Sequence, residues 1–167
     1  MFVDTHTHLY VPEFDDDVAQ VIERGLTAGV QRFILPAIDS TYTQRMRQLE
    51  KAYPFSISVM AGLHPTHVGP GFEQELTHVH HQLSTEKCIA VGEIGIDLYW
   101  DKTYLREQQE AFARQIQWAR DFNLPFAIHC RQAFDEVLEL FQGLPSTLEE
   151  DFEAGIFKEY SAYKTST

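Results

Sequence analysis

The chain has 167 residues, which suits a single domain, and its 44% apolar residues, with 12 Phe and 7 Tyr, supply ample material for a core. A balance of 13 basic against 25 acidic residues sets the net charge at −12, which excludes a broad basic surface for nucleic acid. It leaves open an enzyme whose bound metal ions supply the local positive charge. No apolar run approaches the ~18 residues of a membrane span, and the first residues lack a basic stretch followed by a hydrophobic one. Cys88 and Cys130 fall at opposite ends of two predicted parallel strands, roughly 15 Å apart at the rise of a strand and too far for a disulfide. The expectation is a cytoplasmic protein with reduced thiols and no membrane partner.

In chain order, Val3-Asp4-Thr5-His6-Thr7-His8 opens the molecule. Its β-branched residues favour an extended backbone, and alternation turns His6 and His8 to one face above Asp4. Pro12 and the acids Glu13, Asp15, Asp16 and Asp17 suit the start of a helix, which Val18, Val21, Ile22 and Leu26 continue and Gly29 stops. Phe33-Ile34-Leu35 reads as a buried strand, and Tyr42, Met46, Leu49 and Tyr53 as one face of a second helix. Ile57 to Leu63 forms a third strand leading into His64-Pro65, and Phe72, Leu76, Val79 and Leu83 mark the next helix. Cys88 to Glu93 is the fourth strand, followed by the longest helix, with Leu105, Phe112, Ile116, Ala119 and Phe122 on its apolar face. Pro125 to His129 is the fifth strand, and Phe134, Val137, Leu138 and Phe141 mark a last helix ended by Gly143 and Pro145.

Strand and helix alternate about five times, which means an α/β fold with parallel strands covered by helices. The architecture is either an open doubly wound sheet or a (β/α) barrel of the TIM type. Barrels carry their chemistry on the carboxyl ends of several different strands, and here His6 and His8, His64, Glu93 and His129 occupy four of five such ends. A partial TIM-type (β/α) barrel is therefore expected over residues 1–145, since a complete one takes ~250 residues and eight units. Residues 146–167 read as an atypical tail: a short amphipathic helix from Leu148 to Phe157 with Glu149, Glu150, Asp151 and Glu153 on a solvated face, then a polar end.

Two histidines spaced to share one strand face are a natural clamp for a divalent ion. Glu93, after Ile89-Ala90-Val91-Gly92, places a carboxylate where burial is costly unless it is paired or metal-bound. With His129 these groups can hold one or two divalent ions, and a carboxylate shared by two metals ~3.5–4 Å apart is a known arrangement for activating water and clamping a phosphate. A structural salt bridge for Glu93 and a capping role for His129 are the plainer readings. His78, His80 and His81 read as surface residues. His67 lies in a loop near His64, Tyr99 and Trp100 either stack on a base or pack on the rim, and Asp97 either orients a ligand or caps its loop.

Four stretches resemble the TatD family of metal-dependent deoxyribonucleases, amidohydrolase-like barrels: Val3 to Leu9, Ala61 to Pro65, Val91 to Asp97 and Ile128 to Arg131. Gln108 and Phe112 also fit the family's helix, and the resemblance covers residues 1 to about 142. It implies two divalent ions (Mg, Mn or Zn), with His6 and His8 at one, catalytic Glu93 bridging both, and His129 at the second. It also implies His64 and Arg131 near the phosphate of a DNA substrate. The family's sixth strand brings a further His, in a His-Cys-Phe-Ser-Gly-like motif, and its eighth an Asp. Neither motif follows Pro145 here, so a C-terminal truncation is expected.

The implied function is hydrolysis of phosphodiester bonds in DNA through a metal-activated hydroxide. Its rivals are a weak or inactive truncated paralogue that binds metal or a partner, and a small-molecule amidohydrolase. Unpaired first and fifth strands would favour self-association along the sheet edges.

Overall fold

The computed structural model describes residues 2–143, so the tail helix expected from Leu148 to Phe157 lies outside the described residues. Five strands, β1 (Phe2–Asp4), β2 (Val30–Leu35), β3 (Ile57–Val59), β4 (Val91–Asp97) and β5 (Phe126–Arg131), alternate with α1 (Val18–Thr27), α2 (Thr43–Ala52), α3 (Phe72–Thr85), α4 (Leu105–Asp121) and α5 (Phe134–Gly143). The strands β1, β2 and β3 pair in parallel in that order, and β4 pairs in parallel with β5. An isolated parallel bridge from Ala61 to Val91 joins the two groups. Every strand thus neighbours its predecessor. A doubly wound sheet reverses its order partway, whereas a barrel proceeds around in sequence. The expected partial barrel is what the chain forms, and the sheet does not close among the described residues.

The local sequence explains the elements. The stripe of α1 packs Ile22 inward, and the helix ends because Gly29 takes a φ of +94°, a conformation that a residue without a Cβ adopts freely. Pro12–Phe14 is a 3₁₀ turn rather than the first turn of α1, which starts six residues after Pro12 at Val18. Along β3 and β4 every residue is buried, as strands covered on both faces require. At the outer edge, Phe2 and Val3 of β1 are exposed because no strand lies beyond them among the described residues.

Two boundaries differ from the sequence reading. β1 ends at Asp4, and of the following segment Thr7 keeps a ladder bond, to Ile34 O at 3.1 Å, so His6 and His8 lie past the strand. β4 begins at Val91, so Glu93 sits inside the strand rather than at its end, and His129 likewise sits within β5. Propensity places extended segments, but their partners decide where pairing starts.

Two apolar clusters flank the sheet. One gathers Ile22, Phe33, Leu35, Met46, Ile57 and Val59 under α1 and α2; the other gathers Leu76, Val79, Ile94, Ile96, Phe112 and Ile116 among α3, α4 and β4. Each such side chain contributes about 1.5–3 kcal/mol by leaving water. Together the clusters hold the loops at the carboxyl ends of the strands in register. No helix among the described residues is long and apolar enough to cross a membrane.

A histidine and carboxylate centre at the strand ends

Side chains alternate along β4. Ile94 and Ile96 enter the core, while Glu93, Gly95 and Asp97 share the opposite face. In the register of β4 with β5, Gly95 stands opposite His129. A Cβ at Gly95 would collide with the His129 carbonyl, and its φ of +146° is one that side chains disfavour. The glycine lets the strands close, and the imidazole of His129 comes to rest between two carboxylates. Its Nδ1 lies 3.2 Å from Glu93 Oε1 and its Nε2 lies 2.8 Å from Asp97 Oδ2.

Glu93 is the hub, 6% exposed. Its Oε2 is 2.9 Å from His6 Nε2, 3.6 Å from His8 Nε2 and 3.8 Å from His64 Nε2, while Oε1 faces His129. Burial pushes its pKa up, but the surrounding imidazoles, His129 and His6 foremost, outweigh burial and hold the carboxyl well below the usual range. Burial lowers the pKa of His129, yet Glu93 and Asp97 together leave it raised.

Hydrogen bonding decides which nitrogen of each ring faces the hub. The buried Tyr10 hydroxyl donates its one proton to Pro36 O at 2.5 Å, so it accepts from His8 Nδ1 at 2.7 Å. His8 Nε2 is then left with its lone pair toward Glu93. His64 is arranged the opposite way. Its Nδ1 accepts the backbone N–H of Thr66 at 3.2 Å, which puts the proton of the neutral ring on Nε2, and burial keeps the ring neutral by lowering its pKa to about 3. His64 therefore presents a donor to the centre.

Asp97, 1% exposed, performs both tasks that the sequence left open. Oδ2 receives His129, and Oδ1 accepts the backbone N–H groups of Tyr99 at 2.9 Å and Trp100 at 3.2 Å. Its own backbone is held at both ends by Gln108, whose Oε1 accepts Asp97 N at 2.8 Å and whose Nε2 donates to Asp97 O. One turn-pair further along α4, Gln115 does the same for Leu63, next to His64. Neither Tyr10 nor Gln115 was apparent from the sequence. The available signals were a hydroxyl two residues past His8 and a second glutamine seven residues after Gln108 on an otherwise apolar helix face.

Five of the six residues expected at the site, His6, His8, His64, Glu93 and His129, are brought together. Arg131, expected near a phosphate rather than a metal, lies with its guanidinium over the Tyr99 ring at 3.8 Å. His67 instead pairs with Asp39 at 2.6 Å, 6.4 Å from the His64 ring between centroids. The ligand atoms of His6, His8 and Glu93 all lie within 4.8 Å of one another, as do those of His64, Glu93 and His129. Imidazole nitrogens and a carboxylate suit a borderline divalent cation, and a buried carboxylate with Oε2 toward His6 and His8 and Oε1 toward His129 fits such ions.

A partial parallel (β/α) barrel with a His/Glu cluster on the carboxyl side of its strands is the kind of scaffold on which metal-dependent hydrolases are built. The model of the family described as TatD related DNase matches residues 3–165, beyond the stretch that its motifs cover, and the chain belongs to that family. It is 34% identical over 142 residues to YabD of Bacillus subtilis, named an uncharacterized metal-dependent hydrolase, covering 85% of this chain and 55% of that one. It is 29% identical over 130 residues to the 3'-5' ssDNA/RNA exonuclease TatD of Pectobacterium carotovorum, covering 78% and 50%. The crystal structure of YjjV, a TatD homologue from Escherichia coli, superposes with a TM-score of 0.78 at 27% identity, covering 93% of this chain and 65% of that one. The chain thus spans about half the length of the curated relatives it matches.

Proposed function

We propose that the chain hydrolyses phosphodiester bonds of DNA with Glu93 shared between two divalent ions. The observation that carries this reading is the division of labour on one buried carboxylate, Oε2 toward His6 and His8 and Oε1 toward His129. Divalent ions held there would supply an acidified water as nucleophile and a clamp on the phosphate oxygens. His6 and the lone pair of His8 Nε2 would serve one ion, and His129, oriented by Asp97, the other. His64 would donate its Nε2–H to a phosphate oxygen, and Arg131 would neutralise the backbone nearby. The likeness to the Pectobacterium relative, named an exonuclease of single-stranded DNA and RNA, favours a single-stranded substrate.

A second reading, a metal-binding chain without turnover, draws on the donor role of His64. With its proton on Nε2, the group of His64, Glu93 and His129 contains two acceptors among the described residues. Cleavage of single-stranded DNA, measured with and without chelator and in Glu93→Gln, separates the readings. Hydrolysis that survives chelation or the substitution would refute the first, whereas metal uptake without hydrolysis would favour the second.

A cytoplasmic location belongs to this reading, supported by the free thiols of Cys88 and Cys130. So do a barrel portion over residues 1–145, a separate tail over residues 146–167, and self-association along the outer edges of β1 and β5.

A further inference from the structure

Beside the centre stands a group that metal chemistry does not use. Trp100 is 69% exposed and Tyr99 47%, although both belong to a loop whose backbone is pinned by a fully buried carboxylate. The two rings meet edge to face, with centroids 4.7 Å apart. Arg131 covers one face of Tyr99 at 3.8 Å and stands 5.3 Å from Trp100. Among the described residues its guanidinium has neither a carboxylate nor a hydrogen-bond partner, while Arg24, Arg45, Arg47 and Arg114 all have carboxylates. In a chain with a net charge of −12, an unpaired cation beside an exposed indole is a site for something anionic and flat.

The position narrows the ligand. Asp97 joins His129 through one oxygen to the Tyr99–Trp100 loop through the other, so the aromatic group is one side chain away from the metal centre. An exposed indole stacks any base without reading its identity, and a guanidinium beside it meets the phosphate that every nucleotide carries.

We infer that Tyr99, Trp100 and Arg131 form a nucleotide-stacking subsite, in which Trp100 takes the face of a base of single-stranded nucleic acid and Arg131 its flanking phosphate. The subsite rests on the hydrolase reading for its orientation toward Glu93. It adds what the centre itself lacks, a preference for bases over bare phosphodiester. A stacking contact of this kind is worth roughly a 5- to 100-fold gain in affinity.

The test compares a short labelled thymidine oligomer with its abasic counterpart, both carrying phosphorothioate linkages that slow cleavage. Binding is followed by fluorescence anisotropy in manganese. Wild-type protein is expected to prefer the base-bearing oligomer by roughly 5- to 100-fold. Trp100→Ala should bring the two affinities close to equality, and Trp100→Phe should restore part of the preference. Equal affinities in the wild type, or an unchanged ratio in Trp100→Ala, would overturn the subsite. Cleavage of unmodified single-stranded DNA, followed in parallel, tests the hydrolase reading separately. Base preference lost in Trp100→Ala without any cleavage would sustain the subsite and overturn the nuclease, and cleavage without base preference would do the reverse.

Discussion

Replacing Tyr10 with Phe removes one oxygen and keeps the ring that packs against Tyr42, with centroids 5.4 Å apart, and against His8, at 5.6 Å. The hydroxyl is 1% accessible through its residue, and burial holds its pKa far above the ordinary tyrosine value, so it keeps its proton at any working pH. Two effects follow. Pro36 O loses its 2.5 Å donor in a buried setting, which costs about 1–3 kcal/mol of stability. His8 loses the acceptor on Nδ1 that reserves the lone pair of Nε2 for the centre. Removing a partner that orients a ligand typically weakens metal binding or activity by roughly 10- to 100-fold. Urea denaturation in chelator isolates the first effect, and calorimetric titration with manganese measures the second. Phe at this position should be less stable without metal and should also bind metal more weakly. A loss of stability with wild-type metal affinity would refute the tautomer argument and leave Tyr10 a packing residue.

Asp97→Asn preserves shape but removes the charge that favours His129 with its proton on Nε2. We expect a roughly 10- to 100-fold loss of metal affinity, greater than any fall in melting temperature would explain, read by the same calorimetric titration. His64 sets a pH dependence whose sign is opposite to that of His129. Its folded pKa is lowered from 6.5 to about 3, so the unfolded chain binds the extra proton first, and stability present above pH 6.5 is lost as pH falls toward 3. The His64→Asn variant in chelator should therefore show a flatter acid limb of urea midpoint against pH than the wild type, and parallel limbs would count against the assignment. His129, with a raised pKa, contributes stability that is complete below its unfolded value and fades as pH rises through its folded one, so His129→Asn should flatten the alkaline side instead.

Much of the centre was legible because it uses residues of unambiguous chemistry in or just after predicted strands. His6 and His8 share a spacing, Glu93 follows four apolar or small residues, and His129 follows Phe-Ala-Ile. The helices were legible for a similar reason: Val18 to Leu26 and Leu105 to Phe122 bury one stripe each, and a period of 3.6 is printed in the chain. Arg131 shows the limit. Its place after His129-Cys130 suggested a group near the substrate phosphate, but nothing in the sequence told that its guanidinium would rest on Tyr99. A long side chain has several partners within reach, and only the neighbouring loop selects among them.

Residue pattern alone thus determined the class of fold, the order of its units and the donors available to a metal, since periodicity and side-chain chemistry are properties of the chain itself. Three things required the folded molecule: the sequential strand order that makes the sheet a barrel portion, the register that seats His129 opposite Gly95 between Glu93 and Asp97, and the hydrogen bonds of His8 to Tyr10 and of Thr66 to His64 that aim a lone pair of His8 but a proton of His64 at the same carboxylate. The first two depend on contacts between segments far apart in the chain, and the third on which nitrogen of each ring carries the proton, settled for His8 by the Tyr10 bond to Pro36 26 residues away.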